Sequence, residues 1–63
     1  MMNIKALREK KGFRQEDLAN KLKVDRSAIA KWETGEAMPK SDKLPELARI
    51  LGCTIDELYG KVV

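Results

Sequence analysis

The twenty residues from Gln15 to Thr34, QEDLANKLKVDRSAIAKWET, constrain this chain more than any other stretch. Leu18, Ala19 and Leu22 stand at i, i+1 and i+4, on one face of a short helix. Ile29 and Trp32, at i and i+3, mark the inner face of a second. Lys23, Val24 and Asp25 separate them. Val24 is apolar in a turn, so it is expected to point inward and pin the corner. Asp25 is an N-cap candidate. Ala19 has almost no side chain, which lets two helices cross closely. The pattern predicts two short helices at a steep angle, joined by a tight corner.

Further helices flank this pair. Asn3 is positioned to cap a helix from Ile4 to Lys11, with Ile4 and Leu7 facing inward and Gly12 ending it. Phe13 is expected to be buried against the next helix, from Gln15 to about Leu22. Asp25 should cap the third, Arg26 to Thr34, which Gly35 ends. GEAMPK reads as a loop stiffened by Pro39. A fourth helix should be capped by Ser41 or Asp42. Pro is tolerated only in the first turn, so Pro45 favours the later cap, Asp42. Leu44, Leu47, Ala48 and Leu51 form a core stripe, and Gly52 follows. Thr54 to Glu57, TIDE, is a capping box opening a fifth helix that carries Ile55 and Leu58 inward and closes near Gly60. The expected fold is all-α: one compact five-helix domain over residues 1–63, without repeats, linkers or low-complexity tracts.

Composition narrows the chemistry. There is no histidine and only one cysteine, Cys53, so neither an internal disulfide nor a metal-ligand set is available. Cys53 is expected to be buried and inert, packed against Leu58. No apolar run is long enough to span a membrane, and no signal-peptide pattern is present, so a cytoplasmic protein is expected. No general base exists among histidines, no paired carboxylates face a predicted cleft, and Ser27 and Ser41 lack an activating partner. The chain therefore reads as no enzyme, with no cofactor and no small-molecule substrate. The net charge of +3 is unevenly placed: residues 1–40 hold ten Lys/Arg against six Asp/Glu, and residues 41–63 hold three against four. A basic front suits nucleic acid. It is equally compatible with an ordinary solvated, mixed-charge surface.

The window Gln15–Thr34 closely resembles the helix-turn-helix of bacterial and phage regulators. Leu18, Leu22, Val24, Ile29 and Trp32 fill that motif's apolar positions, and Ala19 its small one. With IKALREKKGF before it and GEAMPKSDKLPELARILGCTIDEL after it, nearly the whole chain resembles the lambdoid repressor and Cro-like family of transcriptional regulators. The resemblance implies a double-stranded DNA partner read in the major groove by the third helix. Its outward residues are Arg26, Ser27, Ala30, Lys31 and Thr34. Arg26, Ser27 and Lys31 match the family's base-reading positions. Arg26 and Lys31 can donate to guanine, Ser27 can pair with several bases, and Ala30 can touch a thymine methyl. Any surface helix shows such residues too; the motif around them favours base contact.

Gln15 matches the family residue that bonds the DNA backbone. Thr34 and the amides of Gly35 and Glu36 are further phosphate candidates, with Lys40 and Lys43 adding attraction. The family also places an ion pair where Arg8 and Glu33 stand. Arg14 replaces the usual N-cap Thr, and Lys23 the usual turn Gly. Two features oppose tight binding: Asp25 and Glu36 bring negative charge beside the expected phosphates, and Ala37 and Met38 occupy positions where relatives often carry Lys or Arg. A twofold homodimer on an inverted-repeat operator is expected, with Ile50, Tyr59, Val62 and Val63 as the candidate interface. Repression is the family's usual mode; no residue distinguishes it from activation. A rival reading is a protein-interaction module such as the antitoxin of a toxin–antitoxin pair.

Overall fold

A computed structural model describes residues 2–60. It contains α1 (Ile4–Lys10), α2 (Gln15–Leu22), α3 (Arg26–Thr34), α4 (Leu44–Leu51) and α5 (Ile55–Leu58), and no strand among the described residues. The molecule measures 31 × 23 × 20 Å. Ile4, Leu18, Ile29, Leu47 and Leu58 have no exposed surface, and Leu22, Leu51, Trp32, Ala19, Ala48 and Met2 complete the core among the described residues. Each fully buried aliphatic side chain contributes about 1.5–3 kcal/mol relative to exposure. This one cluster draws on all five helices, so no helix can leave without exposing the others.

Three of the helices end by one device. After α1, the Phe13 amide donates to the Arg8 carbonyl (3.1 Å) and the Gly12 amide to Glu9 (2.9 Å). After α2, Val24 bonds Ala19 (3.0 Å) and Lys23 bonds Asn20 (3.3 Å). After α4, Cys53 bonds Ala48 (2.9 Å) and Gly52 bonds Arg49 (3.2 Å). Each is a Schellman closure around a left-handed residue. Phe13, Val24 and Cys53, the residues that follow, all pack against the core. Val24 thus pins the corner as its sequence position predicts. Lys23 is the sole non-glycine at positive φ among the described residues, at 58°.

The structure corrects several boundaries and contacts. α1 stops at Lys10, with Lys11 as its C-cap. Neither Asn3 nor Asp25 makes a side-chain cap bond, although each occupies the N-cap position. Asn3 is tied by its backbone instead: its amide donates to the Leu58 carbonyl at 2.6 Å, joining the start of α1 to α5. Neither Ser41 nor Asp42 caps α4. The chain turns through Lys43→Lys40 and Leu44→Ser41 backbone bonds, and α4 begins at Leu44 with Lys43 as N-cap. Pro45 still falls in the first turn, where its missing N–H costs nothing. Ile55 is 39% exposed rather than inward, because α5 is a single turn and Leu58 alone reaches the core. Cys53 and Phe13 are half-buried rather than buried. Met2, unmarked by any periodicity, is buried.

Candidate nucleic-acid interface

α2 and α3 form the most intimate helix pair in the fold. Burial of Leu18, Ala19 and Leu22 on one side, and of Ile29 and Trp32 on the other, fixes which face of each turns outward. On α3 that outer face carries Arg26, Ser27 and Lys31, all exposed, with Ala30 half-buried between them. Thr34, Gly35 and Glu36 are exposed where α3 ends. The Thr34 hydroxyl donates to the Lys31 carbonyl (3.2 Å) and lies 3.5 Å from Glu36 Oε1. Gly35 takes φ 86°, which lets the chain leave the helix sharply. Lys40 is exposed. Lys43 is half-buried: its Nζ reaches the Leu22 carbonyl at 3.5 Å and Glu46 at 3.7 Å, so it serves the C-terminal end of α2.

Beneath this surface lies the expected ion pair. Arg8 Nε donates to Glu33 Oε2 at 2.6 Å and Nη2 to Oε1 at 3.3 Å, while Nη1 donates to the Phe13 carbonyl at 2.7 Å. The two side chains are 9% and 5% exposed. The hydrogen bond to Glu33 holds the Arg8 guanidinium further above its ordinary pKa; burial opposes this and loses. Gln15 joins the pair, its Nε2 donating to Glu33 Oε1 at 3.0 Å. One carboxylate therefore fixes α1, the start of α2 and the end of α3 together.

The start of α2 departs from the usual cap. The Arg14 amide donates to Asp17 Oδ2 at 2.8 Å, which is half of a capping box. The reciprocal half cannot form, since an arginine side chain has no acceptor. Pattern reading passes over Arg14 as a site residue; the structure places it beside Gln15 and Arg26 on one open depression of about 530 Å³.

Of the candidate interface residues, Tyr59 is 39% exposed and Ile50 is half-buried against the core. Val62 and Val63 lie outside the described residues. No helix among the described residues is long and apolar enough to cross a membrane.

A helix-turn-helix family model matches residues 4–58. The chain belongs to the helix-turn-helix family. This agrees with the lambdoid repressor and Cro-like resemblance of its sequence. The helix-turn-helix domain is 51% identical over 47 residues to the 26 kDa repressor protein of Escherichia phage HK022, a match covering 75% of this chain and 20% of the relative. It is 42% identical over 57 residues to the HTH-type transcriptional activator BcrR of Enterococcus faecalis, covering 90% of this chain and 28% of the relative. The chain thus spans less than a third of the length of either relative.

Proposed function

We propose that residues 1–63 form a sequence-specific duplex-DNA-binding domain of a cytoplasmic transcriptional regulator, acting as a repressor by occupying an operator that overlaps a promoter. The observation that carries this reading is the two-sidedness of α3: Ile29 and Trp32 are buried, and Arg26, Ser27 and Lys31 stand exposed opposite them. These are the side chains that discriminate base edges in the major groove. Gln15 would meet the backbone. A side-chain amide has two N–H donors, so one can stay on Glu33 while the other meets a phosphate. Thr34, the amides of Gly35 and Glu36, and the cations Lys40 and Lys43 would flank it. Two copies related by a dyad would read half-sites about 34 Å apart, a spacing that suits a protomer 31 Å in its longest dimension. Ile50, Tyr59, Val62 and Val63 are the proposed contact between copies.

Selection of bound sequences from random duplex DNA tests the reading. Enrichment of an inverted repeat is expected. No enrichment at low salt would refute it and favour the protein-interaction reading. On the selected site, Arg26→Ala should relax preference at one base position per half-site and cost about 1–3 kcal/mol. Gln15→Ala should weaken all sequences alike. If Arg26→Ala also lowers every affinity by one common factor, Arg26 contacts phosphate and the reading face is misassigned.

A further inference from the structure

Arg14 is the one position at the start of α2 where the chain breaks a local rule. The N-cap of an eight-residue helix is held by a side chain that cannot cap it. Such a residue needs another reason to be there. Among the described residues its guanidinium forms no ion pair, although Asp17 lies three residues away and bonds the Arg14 amide instead. It lines the same depression as Gln15 and Arg26. Arg8 also lines that depression, but its charge is taken by Glu33. Glu9 and Glu16 line it too. Without Arg14, the depression beside the base-reading helix would hold two free carboxylates against Arg26 alone, a poor surface to set against a polyanion. The neighbouring polar candidate, Gln15, is neutral and supplies no counter-charge there.

From this we infer that Arg14 is a DNA-backbone contact, and that the chain gives up the α2 cap to place a cation there. The inference rests on the DNA-binding reading above. Because phosphates carry no sequence information, Arg14 would add affinity to all duplexes alike, with a salt dependence that a neutral cap lacks.

The test compares the full chain with Arg14→Thr and Arg14→Lys. The probes are a mixed-sequence duplex of about three helical turns and the site selected from random DNA, each titrated at about 50 and about 200 mM salt. One phosphate contact contributes about 0.9 to the slope of log affinity against log salt. Wild-type affinity should therefore fall about 3.5-fold more than that of Arg14→Thr over this range. Arg14→Thr should bind both duplexes more weakly by a common factor. Arg14→Lys should keep the wild-type slope, since the cation remains. Arg14→Thr should also melt about 4–8 °C higher, because threonine can accept from the helix amides. A purely structural role for Arg14 would move the melting temperature and leave the salt slope alone. Wild-type binding with an unchanged slope in Arg14→Thr overturns the assignment while sparing the DNA-binding reading. Failure of the wild type to bind either duplex at low salt overturns both.

Discussion

Removing one member of the Arg8–Glu33 pair should cost at least about a third of the domain's stability. At 0.05–0.15 kcal/mol per residue, a chain of this size has about 3–9 kcal/mol in total. The pair is nearly bidentate, with contacts of 2.6 and 3.3 Å, and both side chains are more than nine-tenths buried. Arg8→Ala leaves the Glu33 carboxylate buried with Gln15 as its remaining partner. Glu33→Ala leaves the guanidinium with only the Phe13 carbonyl. Stranding a buried charge in this way costs about 3–5 kcal/mol. Replacing both with apolar side chains, Arg8→Met with Glu33→Leu, removes the charges together and should be near neutral. The gain sometimes seen for such swaps is offset here because the Phe13 carbonyl and the Gln15 amide each lose a partner. Urea unfolding followed through Trp32, the single tryptophan, reads all of these variants. Costs of Arg8→Ala and Glu33→Ala that add within about 0.5 kcal/mol in the Arg8→Ala/Glu33→Ala double would refute the coupling. Single costs under about 1 kcal/mol would mean that the pair behaves as an exposed one. The pH dependence has a definite sign. A base whose folded pKa is raised contributes stability that is fully present below its unfolded pKa and lost only as pH rises through its folded pKa. For an arginine both lie far into alkali, so Arg8 itself contributes no pH dependence across the neutral range.

Lys23→Gly should raise stability by about 0.5–1 kcal/mol, the relief of a left-handed residue less the added freedom of the unfolded chain. A urea midpoint that stays put or falls would show that the lysine side chain compensates for its backbone. At Cys53, burial and then the nearby Glu57 carboxylate push the thiol pKa up, so it should alkylate with iodoacetamide at neutral pH far more slowly than the same thiol in urea. Equal rates in the folded and unfolded chain would contradict this.

The helices were legible because their apolar spacing and their stops agree. Gly12, Gly35 and Gly52 each mark a left-handed turn that the structure contains. What was not legible is which partner satisfies a helix end. Asn3, Asp25, Ser41 and Asp42 all carry capping side chains, yet none is used to cap; backbone bonds of the preceding turn do the work at α4. Thr54 and Glu57 succeed because the reciprocal bonds of 3.1 and 2.9 Å lie within one short segment. Local sequence reports a cap well only when both halves of it are local. The outer face of α3 was legible by subtraction, since placing Ile29 and Trp32 inward leaves Arg26, Ser27 and Lys31 outward. The Gln15–Glu33 bond joins residues eighteen positions apart on different helices, and no periodicity reveals it.

Two positions break local rules outright, and both flank α2. Lys23 sits left-handed where glycine would be free of strain, and Arg14 sits at a cap it cannot fill. Departures of this kind persist either because a function uses them or because the fold tolerates their cost. The surroundings of the two residues differ. Among the described residues the Lys23 ammonium makes no hydrogen bond or ion pair, and it lines none of the surface shared by Gln15 and Arg26. Arg14 does line that surface. Both reversions, Lys23→Gly and Arg14→Thr, should stabilise the fold, but only the second should change the salt dependence of DNA binding by a full contact. If the two reversions weaken binding equally, the loss follows bulk charge rather than position, and the geometry around α2 does not select Arg14.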